Sequence, residues 1–332
     1  MTTIPVLANL RPRFSWMAVI TSTLLGVALL SPATMLAQTA HSPVVLDPNF
    51  RTPAPPNGAF PQNPEHVLFA TIVMVTLALI MVVVSIFEGV RFKSTVPFAI
   101  VMGGAFCVFP ESVDNYLAGC FWSQSHNPSQ LFYFLMGREF DYYTIAMWWP
   151  FGAILGYILF AALMRKASTG VLWMGFALSG LADILIEETL LRYGGVYTYF
   201  GHQPLVLLGH FPWWWLFANV SALYLSAAIA YRFRGWFNGW KSVFILALMP
   251  LCYIGGFAFS GLPTIYAIQG NFSPFVTQLA GICTCILALI QTCGIFALIL
   301  ERNPLEFRSV AKNDFGSTLP SHSRGALAAN RA

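Results

Sequence analysis

Charge is scarce in this chain: Asp, Glu, Lys and Arg together make up 9% of its 332 residues, against roughly 25% in a soluble domain. That shortage excludes an ordinary soluble globular protein. The phosphate-cradling pattern G-x-x-x-x-G-K-[ST] is missing, and so is a Gly-rich loop between a strand and a helix, which argues against a nucleotide enzyme. Cys107, Cys120, Cys252, Cys283, Cys285 and Cys293 show neither C-x-x-C spacing nor companion histidines, so no zinc or other metal site is expected. Cys283 and Cys285 are i, i+2 and point to different sides of a helix, and the cysteines read as small core residues. No Lys or Arg lies deep in an apolar run, and no internal repeat suggests the inverted halves of many transporters.

What the chain has instead is apolar length. Hydrophobic residues make up 57% of it, in runs near the roughly 20 residues that cross a bilayer. They fall at about 15–37, 67–87, 96–122, 144–164, 171–192, 211–231, 243–263 and 275–300. The expected fold is therefore all-α, a polytopic transmembrane helical bundle of about eight spans, or seven if the first is a cleaved signal. The net charge of +4 reports topology, not a nucleic-acid partner. With a cytoplasmic N-terminus, fourteen of the 17 Lys and Arg residues fall inside and only Arg51, Arg138 and Arg192 outside, a strong positive-inside bias. Both termini are expected in the cytoplasm, with the plasma membrane as the location.

Four segments follow. Residues 1–37 form a signal-anchor or first span, whose apolar stretch exceeds the usual 7–15 residues of a signal core, although Pro32 and the small residues after it suit cleavage. Residues 38–66 are Pro-rich and external, 67–302 are the helical membrane domain, and 303–332 are a polar tail expected to be disordered. The connections at 123–143 and 192–215, on the external side, carry the chemically varied side chains. Function is expected there.

Five of the 13 carboxylates lie within spans: Glu111, Asp114, Asp183, Glu187 and Glu188. An ionised carboxylate at mid-bilayer costs about 2.5–3.5 kcal/mol even on the lenient insertion scale, so such residues face a protein interior or a wet cavity. Glu111 and Asp114 are i, i+3 and share a face with Asn115; Asp183 and Glu187 are i, i+4 and share another. At about 1.5 Å per residue the first pair sits roughly 22–27 Å from the inner end and the second roughly 18–24 Å. Both pairs can meet in one outward-opening cavity. Pro110 is expected to bend the first of these helices, and Glu188, about 100° around the helix from Glu187, is left out.

Clustered carboxyl groups in a low-dielectric pocket cannot all ionise, so one residue type yields both an acid and a base. Two other readings stay open: structural helix-to-helix hydrogen bonding and a proton path in a transporter. His202 and His210 read as solvated or interfacial residues. Trp213, Trp214 and Trp215 read as an aromatic belt, and Tyr193, Tyr197 and Tyr199 as either belt anchors or pocket lining.

The pattern Asp183-x3-Glu187-x4-Arg192, followed by a turn ending in Tyr199-Phe200-Gly201, resembles the AveC-like spirocyclase family of membrane proteins. Two further stretches are similar to it: Pro110-Glu111 through Asp114-Asn115-Tyr116, and the aromatic span FPWWWLFANVSALYLSAAIAYRFR. Together they cover roughly residues 65–240. The resemblance implies a spiroketal-forming cyclase that acts on a lipophilic polyketide or similar secondary metabolite. Loss of water from a hemiketal, followed by attack of a second hydroxyl on an oxocarbenium ion, needs a proton donor, an anion and a base, with no cofactor; paired carboxylates supply these in glycoside hydrolysis. The expected assignments are Glu187 or Glu111 as acid, Asp183 or Asp114 as anion and base, and Arg192 holding one carboxylate ionised. Asn115, Tyr116, Tyr197 and Tyr199 join Arg192 in contacting substrate. The rivals are an integral membrane terpene cyclase and a proton-coupled transporter, and the expected partners are a lipophilic small molecule and the lipid bilayer. Sequence does not set the oligomeric state.

Overall fold

The computed structural model describes residues 62–135, 138–270 and 272–307. The expected first span, most of the Pro-rich segment and all but the start of the tail lie outside them. Helix α1 (Pro64–Phe92) opens with Asn63, whose side chain accepts from the His66 amide at 3.3 Å, and Pro64 at its first position. Both are strong start signals. Helix α2 (Val96–Phe106) and helix α3 (Val108–Ala118) form one span bent by 41°. The bend sits at Cys107, four residues before Glu111, because Pro110 can give no amide to the Phe106 carbonyl and its ring crowds the preceding turn.

After α3 come strands β1 (Cys120–Trp122), β2 (Leu131–Leu135) and β3 (Arg138–Asp141), then helix α4 (Tyr143–Met164) and helix α5 (Thr169–Thr189). Helix α5 runs on into a π-helical turn, Leu190–Gly194. Strand β4 (Tyr197–Tyr199), helix α6 (Trp214–Arg232), helix α7 (Phe244–Gln269) and helix α8 (Pro274–Gly294) complete the order, with a second π turn over Ile295–Ile299. Among the described residues six helices are long and apolar enough to cross a membrane, or up to seven spans if the bent pair counts as one. The protein is a multi-pass membrane protein of nearly all-α architecture.

The two external connections at 123–143 and 192–215 are ordered by short sheets. β1 pairs antiparallel with β4, setting Cys120 opposite Tyr199 and Trp122 opposite Tyr197. β2 and β3 form a hairpin. The expected third span, drawn as continuous over 96–122, stops at Ala118. Gly119, at φ 72°, takes the left-handed turn that ends it. The helix-end carbonyls are met by side chains: Gln269 donates to Leu117 (2.5 Å) and Gln203 to Ala118 (2.6 Å). These bonds tie the β cap to α3 and α7.

Helix α6 is the centre of the bundle, with 83% of its apolar window buried against 22% for α1, which faces outward along most of its length. The helices meet through small residues, as membrane helices do when no hydrophobic drive separates protein from lipid. A Cβ on Gly152 of α4 would lie 2.9 Å from the Gly104 Cα of α2, and one on Gly256 of α7 would lie 2.8 Å from the Ala222 Cα of α6. At the end away from the β cap, Arg165 pairs with Glu88 at 2.6 Å and Arg232 with Glu301 at 2.5 Å. The first residues of the expected tail are held there too: Trp173 donates to the Pro304 carbonyl at 2.8 Å and Gly170 to that of Phe307 at 2.9 Å.

Candidate functional site

The polar residues buried at the capped end form one chain of contacts. Glu111 on α3 receives the Tyr253 hydroxyl of α7 on Oε2, and that hydroxyl also lies 3.0 Å from Asn219 Oδ1 of α6. The Asn115 amide, in the orientation its neighbours favour, donates to Glu111 Oε1 at 2.7 Å and accepts from Trp122 Nε1 at 2.5 Å. On α5, Glu187 Oε2 accepts from the Tyr197 hydroxyl at 2.5 Å, with the Tyr199 hydroxyl at 3.5 Å. Glu111 lies within electrostatic range of Asp114, Glu187 and Asp183. Four helices and two strands thus deliver side chains to a single polar core.

Beside that core lies a small cavity of about 30 Å³. Glu111, Glu187 and Asn219 reach its wall, and the rest of the lining is mainly aromatic, including Trp122, Trp148, Tyr197, Tyr199 and Trp215. The rings brace one another: Trp122 stands 4.8 Å from Tyr197, Trp148 4.8 Å from Tyr253, and Tyr199 5.4 Å from Trp215 between centroids. Edge and tilted packing of this kind fixes ring orientation as well as burying area. Burial, and after it the nearby Glu187, push the Tyr197 and Tyr199 phenols well above their usual range, so both act as donors at neutral pH. The Cys120 thiol on the same wall is also pushed up, by burial first and Glu111 next. It is a poor nucleophile there.

The two aspartates stand behind the glutamates rather than on the cavity wall. Asp183 is buried, and neither of its carboxyl oxygens has a hydrogen-bond partner among the described residues; Asp114 leaves its Oδ2 in the same state. Of the four acids expected to act together, the structure brings all four into one neighbourhood but turns only Glu111 and Glu187 to the empty space. Among the described residues no three His, Cys, Asp or Glu side chains are grouped so as to hold a metal ion.

Two expected substrate contacts fall elsewhere. Arg192 is exposed and lies over its neighbour Tyr193, 6.0 Å from the ring centroid, so it holds no carboxylate ionised among the described residues. Tyr116 is packed under the Arg138 guanidinium, which stands 4.4 Å from its ring and 3.7 Å from that of Phe121 and donates to the Cys120 carbonyl at 3.2 Å. Burial lowers the Arg138 guanidinium to about 10, so it stays cationic at neutral pH. It clamps β1 against α3. Glu188 faces away from the cavity and binds the loop after β4, accepting from the Phe211 amide at 2.9 Å and lying 3.3 Å from His210 Nδ1.

Tyr253, Asn219 and Trp148 belong to the site without having been marked in the sequence. Asn219 is the lone amide in WWWLFANVSALYL and Tyr253 a lone hydroxyl-bearing ring in LCYIGG. A single polar group inside an apolar span is the signal that points to both. The fold and the site together define a multi-pass membrane protein whose bundle encloses a carboxyl-bearing, aromatic-walled cavity beneath a small β cap. No protein-family model, curated protein or solved structure matches the chain.

Proposed function

We propose that the protein is a membrane-embedded cyclase that closes rings by acid/base catalysis with loss of water, acting on a lipophilic polyol or hydroxy-ketone in the manner of the spirocyclases its sequence resembles. The observation that carries this reading is that two glutamates from different helices, Glu111 and Glu187, face one cavity whose remaining wall is mainly aromatic. Such a wall suits a cation made transiently in a dry place, and the two carboxyl groups supply the proton traffic around it.

Their surroundings divide the roles. Both oxygens of Glu111 receive donors, from Tyr253 and Asn115. Glu111 is the anion that sits near the developing oxocarbenium ion and accepts the proton of the attacking hydroxyl. Glu187 has one oxygen engaged by Tyr197 and keeps the other for the proton it gives to the departing hydroxyl. Asp183, one turn before Glu187 and beside Asn219 of α6, backs it as a proton store. One C–O bond breaks as water leaves, and one forms as the second hydroxyl attacks. The proton taken up by Glu111 balances the one lost from Glu187.

The test is a comparison of lipid-extract metabolites from cells expressing the wild type or the Asp183→Asn, Glu187→Gln double variant at equal protein level. A compound that accumulates only with the variant, one water heavier than the product it replaces, is the expected outcome. An isomer without loss of water would replace this reading by terpene-type cyclisation, and identical extracts would end the cyclase reading in favour of transport or a structural role.

A further inference from the structure

Between α1 and the end of α5 a second, larger space of about 370 Å³ opens toward the outside of the bundle. Its wall is almost wholly apolar. Ala70 and Met74 are buried at its floor, while Phe69 and Leu185 form exposed lips, 70% and 62% accessible. The Thr189 hydroxyl there is spent on the Leu185 carbonyl at 2.6 Å, which leaves His66 as the polar group at the mouth.

This groove adjoins the acid cavity. Met74, Ile186 and Leu190 line both spaces, so three side chains form the partition between a lipid-facing groove and Glu187. One of them is an unbranched methionine, a side chain that changes rotamer readily. Another, Leu190, begins the π turn Leu190–Gly194, whose later residues Tyr193 and Gly194 line the groove. Single π turns inside α-helices recur at functional sites. Here the turn presents one helix end to both spaces.

We propose that this groove is the lateral access path and seat for the apolar chain of a single-chain lipophilic substrate, which enters from the bilayer between α1 and α5 with its oxygenated end directed past Met74 to Glu187. The occupant is a substrate chain rather than a resident lipid, because the groove leads inward to carboxyl groups instead of ending on a closed apolar wall. That occupant rests on the cyclase reading, but the groove's selectivity can be measured without turnover.

The probe is a 16-carbon fatty alcohol with a terminal diazirine, photolysed with the full-length protein in phosphatidylcholine nanodiscs and mapped by peptide mass. Labels concentrated on residues 66–77 and 185–194, several-fold above those on the equally lipid-exposed face of α8 around Phe275, Ile282 and Ile286, and displaced by excess unlabelled alcohol, are the expected result. Ala70→Trp, which fills the floor, and Leu185→Trp, which closes a lip, should each abolish that enrichment. Glu187→Gln should keep the chain-end labels on the groove. Uniform labelling of α1, α5 and α8, or groove labelling that excess alcohol does not displace, marks ordinary boundary lipid and overturns the proposal. A cyclase reading that failed by metabolite profiling would leave selective labelling intact, so the two failures are told apart.

Discussion

Removing one phenol oxygen separates the roles assigned to the two glutamates. In Tyr197→Phe the ring keeps its packing against Trp122 at 4.8 Å but the 2.5 Å hydrogen bond to Glu187 Oε2 is lost. If Glu187 gives up a proton in the rate-limiting step, that bond links neutral groups in the ground state and a charged acceptor in the transition state. Neutral hydrogen bonds contribute about 0.5–1.5 kcal/mol net and charged ones about 1.5–3. Only the difference, about 1–1.5 kcal/mol, acts on the rate, because catalysis is differential binding; at about 1.4 kcal/mol per factor of ten it corresponds to a loss of about five- to thirteenfold in kcat. Tyr199→Phe is the control, since its hydroxyl stands 3.5 Å from the same oxygen, beyond the usual range of O–H···O bonds, and should cost less than about twofold on that scale. The assay is conversion of the substrate identified by profiling, followed by mass spectrometry in nanodiscs at saturating concentration. Equal losses in the two variants, or an unchanged rate in Tyr197→Phe, would refute the assignment of Glu187 as the acid. A loss beyond a thousandfold would make Tyr197 itself the donor.

Two further predictions concern packing and the boundary of the site. Gly152→Ala places a methyl group 2.9 Å from the Gly104 backbone, where no side chain can yield. Overpacking of this kind costs on the order of 1–3 kcal/mol, so the thermal unfolding midpoint in detergent should fall. Gly255→Ala, whose new methyl group meets nothing within 4 Å, should leave the midpoint unchanged or raise it. Arg192→Ala should change kcat and KM by less than about twofold, the scatter of a surface substitution, since the guanidinium is exposed and touches only Tyr193 among the described residues. A tenfold loss would return Arg192 to the site.

The helices were legible because membrane crossing leaves a strong mark: apolar runs of fixed length, basic residues gathered at alternate connections, and Pro110 where a span bends. The carboxyl pairs were legible for the same reason, since an acid in an apolar helix is conspicuous and helical spacing says which acids share a face. What spacing on one helix cannot say is which members of a shared face reach a cavity. Asp183 and Glu187 lie on one face of α5, yet Glu187, a turn nearer the cap, lines the cavity while Asp183 sits against α6 without a partner. Arg192 was misread because its role came from the resemblance alone, and five residues beyond Glu187 it already stands about 140° around an α-helix. The pairing of β1 with β4 joins segments some 80 residues apart, and neither strand, at three residues each, has the alternation that would announce it.

The cap explains why the chain spends strands on a membrane protein at all. Four carboxyl groups inside a bundle are tolerable only where donors converge on them, and helix surfaces alone offer few: here Asn115 and Tyr253 serve Glu111. Glu187 gets its donor from β4, and the Asn115 amide is in turn fixed by Trp122 of β1. The two strands that bring those donors are hydrogen-bonded to each other and pinned by Tyr143, whose hydroxyl donates to the carbonyls of Ser123 and Val196 at 2.8 and 3.0 Å. Loss of the β1–β4 pairing would therefore do more than loosen a loop. It would remove the Tyr197 donor from Glu187, free the Asn115 amide that serves Glu111, and open the cavity to water, where the carboxyl groups would find solvent partners and lose the low-dielectric setting that lets one residue type serve as acid and base.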